Sequence, residues 1–129
     1  MSWEDIESAF GTNSHRRRLL AGLRKALISF GRGGCKSVSI DGSFVTTKEN
    51  PNDVDGTWDN EGVNYGRIDP ILTCYEEPED IDAMKKKYGV EFYPDACLTT
   101  TGITHLRFFQ MDRELRGKGI VKIDPRSLL

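Results

Sequence analysis

Two short motifs in the first half of the chain carry groups that are suited to binding a phosphate and a metal ion. Gly42 and Ser43 end a short apolar run. After nine intervening residues come Asp53 and Asp55, with the apolar Val54 between them. In a β-strand, residues two apart point to the same face and lie about 7 Å apart, so both carboxylates would share one face. Because two such carboxylates repel each other unless a cation joins them, the pair predicts a site for a divalent ion.

This pair of carboxylates favours phosphate chemistry over acid-base catalysis. Mg²⁺ is typically bound by one or two carboxylates together with the phosphates of a substrate, and Mn²⁺ accepts the same oxygen ligands. Gly42 would let the backbone approach an anion closely, and the Ser43 hydroxyl would donate to a phosphate oxygen. Each motif alone is also typical of an ordinary turn, because Gly, Ser, Asn and Asp are common turn residues. The combination of the two motifs favours a functional site.

The order and spacing of the Gly-Ser and Asp-x-Asp motifs resemble the signature of the DNA polymerase beta-like nucleotidyltransferase superfamily, and of its minimal members in particular. The segments PNDVDG, YGVEFYP, FFQMDR and KGIVKID also look similar to those of an uncharacterised family of short bacterial nucleotidyltransferase-like proteins. The similarity extends from about the first helix to the last strand. The resemblance implies a single nucleotidyltransferase-like domain over residues 1–129. Its fold class would be α+β, with helices packed on one side of a small mixed or antiparallel sheet.

The resemblance also implies roles for individual residues. Gly42 and Ser43 would hold the phosphates of a nucleotide. Asp53 and Asp55 would act as catalytic residues and as ligands of Mg²⁺ (or Mn²⁺). Minimal members of the superfamily tend to carry a basic residue soon after the Ser, and Lys48 is the nearby candidate for nucleotide binding.

A third carboxylate on a neighbouring strand usually completes the site in this superfamily. Glu91 is the best match, because it alternates with the apolar Val90 and Phe92 in a predicted strand. That alternation would turn Glu91 toward the face that carries the two aspartates. Asp59 and Asp95 remain alternatives for the third metal ligand.

Two function classes follow from these motifs. The first is an enzyme that transfers a nucleoside monophosphate from a nucleoside triphosphate to a hydroxyl acceptor. A partner protein would be one such acceptor, as in the minimal nucleotidyltransferase antitoxins of toxin-antitoxin pairs. The alternative is a non-catalytic nucleotide- or protein-binding module that acts by contact with a partner. The paired carboxylates favour the enzyme. The apolar and β-branched residues 44–47 favour the module, because they predict only a short helical turn after Ser43.

Composition and charge narrow the setting. The chain has 129 residues and a formal net charge of −2. It contains neither a bilayer-length apolar run nor a leader-like N-terminus, which predicts a cytoplasmic protein without a membrane partner. Residues 15–25 are strongly basic and residues 74–83 are strongly acidic. These runs indicate either two solvated helix faces or an electropositive rim that attracts a polyanion, and they leave nucleic acid open as a partner.

The cysteines and histidines carry no metal-binding pattern. Cys35, Cys74 and Cys97 are far apart and lack histidines at ligand spacing, so we expect reduced thiols in or near the core. The isolated His15 and His105 favour surface or capping roles.

Hydrophobic periodicity predicts the elements that position the motifs. They are a helix from Thr12 to Gly31, strands around Val38 to Ile40, Asp53 to Trp58 and Val90 to Pro94, a helix from Pro78 to Gly89, and a hairpin of Leu106–Met111 and Gly119–Ile123. The segment RIDPILTCYEE is ambiguous between a short helix and a turn. Gly56 predicts a bulge in the second strand. Trp3 and Phe10 favour docking of the N-terminal segment, either on the body of the domain or on a partner.

Overall fold

A computed structural model describes residues 1–46, 50–95 and 120–129 of the chain. Its helices are α1 (Trp3–Phe10), α2 (Ser14–Arg32), α3 (Pro70–Thr73) and α4 (Pro78–Tyr88). Its strands are β1 (Val38–Asp41), β2 (Val54–Trp58), β3 (Val90–Pro94) and β4 (Val121–Ile123). Short 3-10 helices span Gly42–Val45, Tyr65–Arg67 and Pro125–Leu128. No helix within the described ranges combines the length and the apolar character needed to cross a membrane.

The four strands form one mixed sheet in the order β3-β2-β1-β4. The central strand β1 pairs antiparallel with both β2 and β4, whereas β2 and β3 run parallel. The parallel pair is connected through α4, since a parallel crossover needs a long connection that is usually helical. The fold is therefore α+β with a small mixed sheet, as the sequence predicts.

Local sequence explains where the first two helices begin. The Ser2 side chain and the Asp5 side chain form a capping box at the start of α1. The Asn13 side chain accepts a hydrogen bond from the Arg16 backbone N–H at the start of α2. Trp3 is buried in α1, so the predicted docking of the N-terminal segment is confirmed.

One face of the sheet is apolar and is covered by α2. The Phe30 ring of α2 lies 5.1 Å from the Trp58 ring of β2 and 5.9 Å from the Phe92 ring of β3, measured between centroids. The opposite face carries polar side chains, because strand residues alternate between the faces. In the described strands these include Ser39, Asp41, Asp55, Thr57, Glu91 and Tyr93.

The predicted bulge at Gly56 is wrong, because the pairing of β1 with β2 continues without interruption through this position. Gly56 is instead a site of close packing. A Cβ atom there would lie 2.3 Å from the Ser39 carbonyl oxygen and 2.8 Å from the Phe92 ring. Only glycine therefore fits between the neighbouring strand and the aromatic side chain.

The structure also bears on the predictions for the cysteines, the C-terminal hairpin and the ambiguous segment RIDPILTCYEE. Cys35 is a buried free thiol, whereas Cys74 is exposed, so its predicted place in or near the core is wrong. Cys97, His105 and the predicted strand Leu106–Met111 lie outside the described residues. The second strand of that hairpin corresponds to β4, which pairs with β1. The ambiguous segment contains the single-turn helix α3, which is capped by the Asp69 side chain.

Candidate functional site

Strand pairing brings three carboxylates together at one end of the sheet. Asp55 pairs with Asp41 of β1 on one side and with Glu91 of β3 on the other. Asp53 immediately precedes β2, and the fully buried Val54 fixes the alternation by facing the core. One carboxylate oxygen from each of Asp53, Asp55 and Glu91 lies within 4.8 Å of the others. This group is called the carboxylate cluster below.

The two alternative third ligands lie at the other end of the strands. Asp59 follows the last residue of β2, and Asp95 follows the last residue of β3. Four residues along a strand correspond to about 13 Å, which separates Asp59 from Asp55 and Asp95 from Glu91. The Asp59 side chain accepts a hydrogen bond from the Glu61 backbone N–H at 3.0 Å. The geometry therefore groups Glu91, rather than Asp59 or Asp95, with the two aspartates.

The carboxylate cluster is electrostatically strained. The pKa of Asp55 is raised from 3.8 to about 7, firstly because the group is buried and secondly because the Asp53 and Glu91 carboxylates lie close by. Burial and like charges both disfavour the ionised form of a carboxyl group. A cation at this position would relieve the repulsion.

One cationic side chain already reaches the carboxylate cluster from α4. The Lys85 Nζ lies 3.3 Å from a carboxylate oxygen of Asp53 and 3.7 Å from one of Glu91. Burial alone would lower the pKa of Lys85, but the carboxylates outweigh that effect and the pKa is raised. On the opposite side, the Tyr93 hydroxyl donates to the other carboxylate oxygen of Glu91 at 2.9 Å. Lys85 was not predicted from the sequence, because it lies within a run of three lysines that is also typical of an exposed helix end.

The Gly-Ser turn lies directly beside this cluster. Gly42 has a φ of +77°, a conformation that side chains of L-amino acids rarely adopt. A Cβ atom at this position would lie 2.5 Å from Oδ2 of Asp55. The backbone N–H of Gly42 donates to Oδ1 of Asp41 at 2.7 Å. Gly42 and Ser43 open the 3-10 helix Gly42–Val45, which is the short helical turn that the sequence predicts, and Lys48 lies outside the described residues.

Arg16 is a buried residue that holds this turn. Its side chain donates to the backbone carbonyls of Phe44 at 2.7 Å and of Thr46 at 2.8 Å. The basic run of residues 15–25 is therefore only partly a solvated face, since Arg16 is 2% exposed. The burial of Arg16 could have been predicted from the sequence. Arg16 precedes Leu20 by four residues and so lies on the same stripe as the apolar side chains of α2.

A cleft of about 330 Å³ opens beside the Gly-Ser turn. It lies between the end of α1, the start of α2 and the end of the 3-10 helix. Its lining residues are Ala9, Phe10, Thr12, Arg16, Val45 and Thr46. The Arg16 side chain thus contributes both to the support of the turn and to the wall of the cleft.

Comparison with known proteins identifies the family. A family model matches residues 1–124. The chain belongs to a family of unknown function (DUF6932). Neither the curated proteins nor the solved structures gave a match to this DUF6932 chain.

Proposed function

We propose that the protein is a nucleotidyltransferase-like domain that binds a nucleoside triphosphate with Mg²⁺ (or Mn²⁺) and transfers the nucleoside monophosphate to a hydroxyl acceptor. One observation carries the proposal. The backbone of Gly42, at the Gly-Ser turn, lies against Asp55, which belongs to a cluster of three carboxylates within 4.8 Å of one another. A phosphate group and a divalent ion would need to be held side by side in this way.

The chemistry of the donor set fits a hard divalent cation. Carboxylate oxygens are the ligands that Mg²⁺ and Mn²⁺ prefer, and substrate phosphates commonly complete the coordination. Burial, and then the nearby Asp53 and Glu91 carboxylates, raise the pKa of Asp55, so added positive charge would favour its ionised form. Asp53, Asp55 and Glu91 would hold the ion. When bound, the ion would supply charge neutralisation and orientation for transfer at the α-phosphate.

The remaining roles follow from the resemblance and from the position of the turn. Gly42 and Ser43 would bind the triphosphate through the backbone and the Ser hydroxyl, and Lys48 would add a positive charge. The acceptor oxygen would form a new bond to the α-phosphorus and lose its proton to solvent, while the bond to the leaving pyrophosphate breaks. A partner protein is a fitting acceptor, as in an antitoxin-like transferase.

One observation favours a second function, in which the domain binds a nucleotide or a partner protein by contact and without catalysis. Lys85 already forms ion pairs with Asp53 and Glu91, so an ammonium group neutralises part of the cluster without any metal. Under this function, Lys85 would remain in place and the three carboxylates would serve as a structural polar network.

Metal and nucleotide binding would test the metal-dependent site directly. Mn²⁺ is titrated into the wild type and into an Asp53→Asn, Asp55→Asn double variant, with and without each of the four nucleoside triphosphates. Asp59→Asn, Asp95→Asn is the matched control, because it removes the same two charges at the other end of the strands. We expect Mn²⁺-dependent nucleotide binding by the wild type and the control but not by the site variant. Equal binding by all three proteins would refute a metal site at the cluster.

Catalysis needs a separate measurement. Label transfer from each α-labelled triphosphate to a lysate or to a co-purified protein is followed for the wild type and for Ser43→Ala. Ser43→Ala would remove one hydrogen bond from the Ser43 hydroxyl to a phosphate. It is therefore expected to weaken nucleotide binding by about 1 to 2 kcal/mol, in addition to any effect on transfer. Nucleotide binding without transfer to any acceptor would support the contact function instead.

A further inference from the structure

The first turn of α2 holds both ends of the segment that joins the two motifs. Arg16 donates to the carbonyl of Thr46, where the Gly-Ser turn ends, and His15 Nε2 lies 2.6 Å from the carbonyl oxygen of Pro51. A carbonyl oxygen can only accept a hydrogen bond, so Nε2 of His15 must carry the hydrogen. Pro51 lies two residues before Asp53. Two consecutive side chains therefore fix the chain immediately after one motif and immediately before the other.

We propose that His15 and Arg16 are positioning residues that hold the Gly-Ser turn in register with the carboxylate cluster and thereby set the affinity for a metal-bound nucleotide. The pair is called the α2 anchor below. This inference rests on the proposed nucleotide site, but it concerns two residues of α2, outside both motifs.

The burial of Arg16 supports a positioning role. Removing a guanidinium group from water carries a large desolvation cost unless hydrogen bonds replace the lost water. Three hydrogen bonds of the Arg16 side chain go to the backbone carbonyls of Phe10, Phe44 and Thr46, so they orient the main chain. An apolar residue would fill the same position of the α2 stripe without this cost. What the guanidinium adds is a fixed geometry for the turn.

Aromatic contacts strengthen the same connection. The Arg16 guanidinium lies over the Phe44 ring at 5.2 Å from its centroid. The Phe10 ring at the end of α1 lies 5.8 Å from the Phe44 ring. Cation–π and aromatic contacts of this kind stabilise a particular arrangement of the rings. The end of α1, the start of α2 and the Gly-Ser turn are thus held together around one side chain.

Two members of the carboxylate cluster, Asp55 and Glu91, are held in place by strand pairing. Asp55 and Glu91 lie on paired strands, and their register is set by β1, β2 and β3 rather than by the α2 anchor. Loss of the Arg16 hydrogen bonds would therefore move the turn relative to Asp55 and Glu91. Loss of the His15 contact would instead release the chain that leads into Asp53. Without the Arg16 hydrogen bonds, a ligand that touches both the turn and the cluster should be weakened more than a ligand that touches the cluster alone.

The test compares two ligands on the same variants. Arg16→Met and His15→Leu remove the anchoring donors, Arg16→Lys retains the charge with fewer directed donors, and Arg18→Met is the control at an exposed position of the same helix. Affinity is measured by calorimetry for Mn²⁺ alone and for Mn²⁺ with the triphosphate that the wild type binds best. Circular dichroism and melting curves identify the variants that fold.

Arg16→Met is expected to lower the affinity for Mn²⁺-nucleotide about tenfold, the effect of misplacing one hydrogen bond to a charged group, while the affinity for Mn²⁺ alone changes less than about twofold. His15→Leu releases the chain that leads into Asp53, so it should weaken the binding of both ligands. Arg16→Lys should fall between Arg16→Met and the wild type. If Arg16→Met does not fold, Arg16→Lys decides the question by the same comparison.

Two results would overturn the inference without touching the proposed function. The first is wild-type nucleotide affinity in the folded anchor variants. The second is an equal loss of both affinities in the folded Arg16 variants, which would make Arg16 a general structural residue. Failure of the wild type to bind either ligand would instead refute the proposed metal-dependent site, and the inference would fail with it.

Discussion

Replacing Asp55 with Asn should stabilise the metal-free protein at alkaline pH and leave its stability nearly unchanged at acidic pH. The pKa of Asp55 is raised from 3.8 to about 7 in the folded protein. The folded state therefore binds a proton more tightly than the unfolded state does. The stability associated with the protonated group is fully present below about pH 4 and is lost as the pH rises through about 7. Asn is neutral at every pH and has nearly the same shape as Asp. The variant should therefore not lose stability as the pH rises through about 7.

The size of the effect follows from the pKa shift. A rise from 3.8 to about 7 is roughly three pKa units, or about 4 kcal/mol if every part of the interaction were retained. Asp55 is only partly buried, and solvent screening reduces this ceiling. We expect Asp55→Asn to raise the free energy of unfolding by about 2 kcal/mol at pH 8, which corresponds to an increase of about 5 to 10 °C in Tm.

The assay is chemical and thermal unfolding in the presence of a chelator at pH 4 and at pH 8. Asp82→Asn, at an exposed position of α4, is the control for the loss of one negative charge. Addition of Mn²⁺ at pH 8 should raise the Tm of the wild type and leave that of Asp55→Asn unchanged. A variant that is less stable than the wild type at pH 8, or a stability gain that is equal at both pH values, would refute the electrostatic account of the cluster.

Three further substitutions test the surroundings of Asp55. Glu91→Gln keeps an acceptor for the Tyr93 hydroxyl but removes a negative charge. It should therefore raise the Tm of the metal-free protein and abolish any nucleotide transfer. A lower Tm with unchanged transfer would make Glu91 an ordinary ion-pairing residue. Lys85→Met should tighten Mn²⁺ binding by about fivefold, because it removes an ammonium group that competes with the ion for two carboxylates. Calorimetry measures the Mn²⁺ affinity, with Lys86→Met as the control, and an unchanged affinity would contradict the competition. Gly42→Ala should destabilise the protein by at least about 1 kcal/mol and weaken Mn²⁺ binding, because the methyl group meets Asp55 and the positive φ is strained. Wild-type stability and metal affinity in Gly42→Ala would show that the turn lies farther from the cluster.

The part of the site that lies on strands could be predicted from the sequence. Alternation around Val54 and in the segment from Val90 to Phe92 determines which side chains share a face, and α4 between the two strands is long enough for a parallel crossover. The alternation and the crossover predict that Glu91 lies on the same face as Asp55 in a neighbouring strand. The strand register then pairs the two residues directly.

The supporting side chains were harder to predict, because their roles depend on tertiary contacts. Arg16 belongs to a strongly basic run, and charge patterning alone does not separate its buried guanidinium from its exposed neighbours. Lys85 is one of three successive lysines, and only the direction of α4 relative to β3 brings this one to the carboxylates. Gly56 shows the same limit, since a glycine within a strand is compatible with either a bulge or a close contact.

The parallel pairing of β2 with β3 also determines the order in which the candidate site can assemble. Asp53 and Asp55 can reach their positions as soon as the antiparallel pair of β1 and β2 forms, whereas Glu91 arrives only after α4 has carried the chain back across the sheet. Parallel pairs of this kind close long loops, and such contacts tend to form slowly. The first two carboxylates can therefore come together before Glu91 adds a third negative charge beside them. A cation that binds all three carboxylates would stabilise the product of that late step, so its effect should be seen chiefly as slower unfolding.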